Sequence, residues 1–93
     1  YHEQFWLRGI GMEYALVTVR AEQMHWQTDM ELPAWMKIRE LVVKILETLK
    51  MFDEERFFQV SEISLYYGQK KLHMDASLAD YQIWDGSIID IRY

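Results

Sequence analysis

The chain contains no cysteine. That removes a disulfide framework, a thiolate zinc site and a thiol nucleophile in one step. The lack fits a reducing compartment. Proline occurs once, as Pro33, and glycine four times. Basic residues are in the minority as well. Ten Lys and Arg stand against fifteen Asp and Glu, a formal net charge of −5. Nucleic-acid backbones and anionic bilayers both attract a basic face, so neither is expected as the main partner. No apolar run approaches the roughly 18–20 residues that span a bilayer, so membrane insertion is not expected either. No signal-peptide pattern opens the chain.

What is present is apolar and aromatic. The 93 residues are 51% hydrophobic and 15% aromatic, with four tryptophans. A chain of this length forms one domain and buries roughly 60–65% of its unfolded surface. Trp26, Trp35, Trp84, Phe57 and Phe58 exceed what one small core holds. Some of these rings are therefore expected at the surface, and clustered apolar surface marks an interface.

Residues 1–11 end in Gly9-Ile10-Gly11, a break in regular structure, and Met12 follows. This stretch is expected to be an N-terminal extension or leader, with residues 12–93 forming the domain. Its Phe5-Trp6-Leu7 run leaves open a packing role against the domain or a second copy. From Glu13 to Glu22, Ala15, Val17 and Val19 alternate with Tyr14, Leu16, Thr18 and Arg20, which predicts a strand. Leu16 suggests that the second face is partly covered. A turn at Gln23–His25 leads to a second alternating run, Trp26 to Leu32, so the pair predicts a hairpin.

Pro33 is expected in the first turn of a helix, where a missing N–H is tolerated. Ile38, Leu41, Val42, Ile45, Leu46 and Leu49 then form one apolar stripe, which predicts a helix over about residues 35–50. Asp53-Glu54-Glu55 is expected to open a second helical turn, pinned by Phe52 and by Phe57 or Phe58. Glu62–Tyr67 predicts a strand, Gly68–Lys71 a turn, Asp75–Tyr81 a single helical turn, Asp85-Gly86 a turn, and Ile88–Arg92 a last strand. Several strands with one amphipathic helix to cover a sheet face predict a two-layer α+β domain.

The run from Leu65 to Tyr93, with Leu78-Ala79-Asp80-Tyr81-Gln82-Ile83 at its centre, resembles the ubiquitin superfold. The helix stripe Ile38, Leu41 and Ile45 fits the same pattern. The resemblance implies a β-grasp: a mixed four- to five-stranded sheet packed on one main helix. It implies a core that includes Val17, Val19, Ile38, Leu41, Ile45, Leu65, Leu72, Leu78, Tyr81 and Ile83. Tyr81 is expected to hold its own loop by a hydroxyl bond to backbone, and Asp80 to brace the turn. The family's exposed apolar centre falls on Tyr66, its turn lysine on Lys70, and the neighbour of its patch on Asp90. With no diglycine after Gly86, attachment through the C-terminus is not expected.

The Leu-Pro-helix entry, ELPAWMKIRELVVKILETL, and the Leu-Ala-Asp-Tyr-x-Ile-x-Asp-Gly-Ser run resemble the YukD (EsaB-like) family of Gram-positive bacteria. That resemblance implies a cytoplasmic accessory of type VII (WXG-type) secretion that binds protein non-covalently and performs no catalysis. The alternative is a ubiquitin-like interaction domain of a larger protein, such as a membrane transporter. The expected partner surface comprises Tyr66, Lys70, Lys71, Trp35 and Trp84. For Trp35 and Trp84, packing at the edge of the core is the competing reading. Self-association through exposed aromatics or the N-terminal segment also stays open.

No enzymatic constellation accompanies these features. His2, His25 and His73 are scattered, without H-x-x-x-H or carboxylate spacing. The serines at 61, 64, 77 and 87 lie in no G-x-S-x-G elbow, and no phosphate-binding glycine loop is present. No cofactor and no metal are expected.

Overall fold

A computed structural model describes residues 13–93. The expectations for residues 1–11, for Met12 as a start and for the Phe5-Trp6 contribution lie outside the described residues. So does the position of His2.

The alternation at the start of the domain produces a hairpin. Strand β1 (Tyr14–Ala21) pairs antiparallel with β2 (Trp26–Pro33), from Tyr14 opposite Pro33 to Ala21 opposite Trp26. A 3₁₀ turn at Glu22–Met24 joins them and ends at His25, which takes the left-handed conformation. Pro33 does not enter a helix. It closes β2, which has one neighbour in the described sheet, so its missing N–H leaves no ladder bond unmade there.

The main helix, α1 (Ile38–Phe52), begins later and ends later than its sequence pattern predicts. Its start is set by tertiary contacts. The Ala34 amide donates to the Glu13 carbonyl at 2.8 Å, which holds the residues after Pro33 in a turn. The Ile38 and Arg39 amides donate to the Ala76 and Met74 carbonyls at 2.8 and 3.0 Å. Those two N–H groups lack partners within a helix, and a loop from elsewhere in the chain replaces a capping side chain. Arg39 also donates through Nε to Asp75 Oδ1 at 3.2 Å, fixing the same loop.

A one-turn helix, α2 (Glu54–Phe57), follows at once. Asp53 caps it, accepting from the Arg56 amide at 3.1 Å and from Arg56 Nε at 3.0 Å. The acidic triplet thus opens a second helical turn as expected, but a single ring pins it. Phe57 is fully buried, edge-on to Trp26 with ring centroids 5.1 Å apart. Phe52 and Phe58 face outward, because one turn of helix directs just one of these rings inward.

Strand β3 (Ser64–Tyr67) forms a hairpin with the two-residue β4 (Lys70–Lys71). Gly68, at φ +66, takes the left-handed position their turn requires. A 3₁₀ turn at Ala79–Tyr81 precedes β5 (Ile88–Arg92). The sheet order is β2-β1-β5-β3-β4, with β5 parallel to β1 and antiparallel to β3. The chain is therefore an α+β β-grasp with a mixed five-stranded sheet.

Ala15, Val17, Val19, Leu65, Ile89 and Ile91 line the sheet face beneath Ile38, Leu41, Ile45 and Leu49 of α1. Of the ten core residues expected from the sequence, all but Tyr81 are at most 1% exposed. Tyr81 is half-buried against the core, and its hydroxyl accepts the His73 amide at 2.8 Å. Asp80 accepts the Ser77 amide at 2.9 Å, bracing the turn. Among the described residues, no helix covers the opposite sheet face. Leu16 is half-exposed, contrary to the expectation that its face is partly covered, since neither helix packs there.

Leu78→Ala removes a fully buried side chain and should cost about 2–5 kcal/mol, read from urea denaturation; a shift too small to resolve would contradict its place in the core. The Arg39 hydrogen bond holds the Asp75 carboxyl below its ordinary pKa of 3.8. Its contribution to stability is present above that value and lost as pH falls through the lower, folded-state value. The stability gap between the wild type and Asp75→Asn, measured by denaturant midpoint, should therefore be small at neutral pH and close below pH 3.8. A gap that widens on acidification would overturn the assignment.

Candidate protein-binding surfaces

The open sheet face is polar because the register aligns polar residues in rows. Gln27, Arg20, Asp90, Tyr66 and Lys71 stand side by side across the five strands. At the centre, Arg20 holds Asp90 with two bonds, Nε to Oδ1 at 2.7 Å and the terminal nitrogen to Oδ2 at 3.1 Å. Asp90 is buried. The carboxylate raises the Arg20 pKa above its ordinary value, chiefly through this hydrogen bond. Thr18 donates to Asp29 Oδ1 at 2.8 Å in the next row. Arg92 lies over the Tyr66 ring, 4.3 Å from its centroid.

Tyr66, expected as an exposed ring of the partner surface, is not freely exposed. It is half-buried beneath Arg92, and its neighbour Tyr67 is the exposed one. Lys70 and Lys71 also separate. Strand alternation puts Lys71 beside Tyr66 and Lys70 beside Tyr67 on the other face, where the Lys70 Nζ lies 5.3 Å from the Tyr81 ring centroid. The two lysines do not form one basic patch.

The tryptophans at the far end of the sheet are exposed, Trp35 by 56% and Trp84 by 40%. Both are held in place by the first residues of the domain. The Trp35 indole donates to Glu13 Oε1 at 2.7 Å. Its turn is fastened to the 3₁₀ segment by the Ala79 amide, which donates to the Ala34 carbonyl at 2.9 Å. Trp84 precedes the Asp85-Gly86 turn, which grips β1 from the side. Asp85 Oδ1 accepts the Leu16 amide at 2.7 Å, and the Gly86 amide donates to the Leu16 carbonyl at 2.9 Å. Gly86 has φ +90, which side-chain-bearing residues avoid. Leu16 and Ile88, both exposed, border this turn. Sequence periodicity could not show these links, since Glu13–Trp35 and Asp85–Leu16 join distant segments.

A shallow groove of about 920 Å³ runs between α1 and the approach to β3, lined by Val42, Val43, Leu46, Ile63, Met74 and Tyr93. Arg39, Glu40, Glu62, Lys71 and Arg92 also line it. Among the described residues, no three or more His, Cys, Asp or Glu side chains are grouped to hold a metal ion. Among them, too, no helix is long and apolar enough to cross a membrane.

One main helix laid across a mixed five-stranded sheet of order β2-β1-β5-β3-β4 defines the chain as a ubiquitin-like domain. More narrowly, it belongs to the YukD family: the family model described as "WXG100 protein secretion system (Wss), protein YukD" matches residues 14–91. Solved structures agree on the fold. The ubiquitin-like domain of the type VII secretion system protein ECCD1 of Mycobacterium tuberculosis superimposes with a TM-score of 0.72 at 22% identity, covering 88% of this chain and 100% of that one. The ubiquitin-like domain of EccD5 from Mycobacterium xenopi gives 0.68 at 18% identity, over 86% and 93%. A chain of the MycP5-free ESX-5 inner membrane complex gives 0.67 at 19% identity, over 86% of this chain but 21% of that one. A comparison with curated proteins finds no match.

The Arg20–Asp90 pair yields a test of the open face. Arg20→Leu leaves a buried carboxylate without its bidentate partner and should lower the thermal midpoint more than Glu22→Gln, whose salt bridge to Arg20 is long at 3.9 Å. Equal midpoints would remove the pair from the structural account.

Proposed function

We propose that the chain is a non-catalytic, cytoplasmic adaptor of type VII secretion that binds a protein partner non-covalently. The family match over residues 14–91 carries this reading. Trp35 and Trp84 support it, because exposed indoles anchored by hydrogen bonds and turns meet a partner with little loss of side-chain freedom. In this reading they are the anchors, Leu16 and Ile88 add apolar rim between them, and Tyr66 with Lys71 contributes polar contacts from the open face. A second reading, a recognition domain within a larger membrane-associated protein, draws on the likeness to a small part of a chain in the ESX-5 complex. A reading frame that runs on into membrane-spanning segments would favour it.

Affinity purification of the tagged full chain from its native host tests the proposal. A type VII secretion component should co-purify with the wild type. Trp35→Ala and Trp84→Ala should each weaken that association roughly tenfold or more while leaving the circular dichroism spectrum unchanged. Recovery of no secretion component, or equal recovery with both variants, would overturn it.

A further inference from the structure

The most exposed apolar side chains of the described residues lie at neither the sheet face nor the tryptophans. Met51 is 84% exposed, Phe52 67% and Phe58 68%, all on the corner where α1 passes into α2. This corner is fixed rather than loose. Asp53 caps α2, Arg56 bonds Asp53 and donates to the Met24 carbonyl at 3.0 Å, and the intervening Phe57 is locked into the core against Trp26. A rigid knuckle with two phenylalanines and a methionine in water is a costly surface to keep without a use. It stands at the opposite end of α1 from Trp35, so roughly 22 Å of helix separates the two surfaces.

Charge says what covers it. The residues around the knuckle are Glu47, Lys50, Asp53, Glu54, Glu55 and Arg56. Arg56 is committed to Asp53, which leaves the exposed Glu47, Glu54 and Glu55 against Lys50. An anionic bilayer is repelled by such a rim. A second copy would bring the same carboxylates face to face, on a chain already at −5. We infer that Met51, Phe52 and Phe58 form a second docking surface, for a partner protein that presents an apolar helix face or cleft flanked by Lys and Arg. This surface is distinct from the tryptophan end, and loss of binding in the Trp35 and Trp84 variants does not bear on it.

The test uses the full chain with ¹³C-methyl methionine and two synthetic amphipathic helical peptides, one of Leu and Lys, the other of Leu and Glu. The Leu/Lys peptide should shift the Met51 methyl signal and the amides of residues 47–58, with an affinity that falls as salt is added. Phe52→Ser with Phe58→Ser should weaken binding roughly tenfold or more at an unchanged circular dichroism spectrum, since both rings are exposed. Glu54→Lys with Glu55→Lys should reverse the preference toward the Leu/Glu peptide. The inference is overturned if neither peptide shifts these signals, if both shift them equally, or if the shifts map elsewhere. It is also overturned if vesicles containing phosphatidylglycerol bind through the knuckle, or if sedimentation shows self-association that the two serine substitutions abolish.

Discussion

The parallel pairing of β1 with β5 is the constraint on which the remaining structure depends. It joins the first strand of the domain to the last, setting Thr18 against Ile88 and Arg20 against Asp90. Parallel neighbours cannot be linked by a tight turn, so the chain must pass through α1, α2 and the β3–β4 hairpin before it returns. The return is fixed by short bonds just ahead of β5. Asp85 and Gly86 grip both backbone groups of Leu16, and the Thr18 amide donates to the Ser87 carbonyl at 2.9 Å. Once this register is set, Ile89 and Ile91 must face α1, and Asp90 must face Arg20.

The same register distributes the surfaces. Because side chains alternate along a strand, burying Val17, Val19, Ile89 and Ile91 puts Thr18, Arg20, Asp90 and Arg92 on the other face. Their mutual pairing makes that face polar, and Arg92 screens Tyr66. Under the proposed function, apolar recognition falls to the ends of α1, where turns rather than strands present the side chains. Trp35 and Trp84 occupy one end, and the corner with Met51, Phe52 and Phe58 occupies the other.

The fold was legible because its aliphatic residues repeat at periods of two and of three to four. Ala15, Val17 and Val19 marked β1, and Ile38, Leu41, Ile45 and Leu49 marked α1, by burial that periodicity reports directly. The Leu78–Ile83 segment was legible by resemblance to a family, down to the Tyr81 hydroxyl bond. The start of α1 was not, because the loop at Met74–Ala76 determines it and that loop is remote in sequence. Pro33 misled for a local reason: its missing N–H suits a strand end as well as a helix start. The site was less legible than the fold. An excess of aromatics showed that some must be exposed, but the choice between Phe57 and Phe58, or between Tyr66 and Tyr67, turns on single-residue differences in orientation.

The aromatic residues divide: Trp26 is half-buried against the core and edge-on to Phe57, whereas Trp35 and Trp84 are exposed. Acrylamide quenching of three variants, each keeping one of these tryptophans with phenylalanine at the other tryptophan positions, tests that division most directly. The chain with Trp26 alone should emit at shorter wavelength and quench least, and those with Trp35 or Trp84 alone should quench readily. Quenching of Trp35 and Trp84 as slow as that of Trp26 would contradict the account.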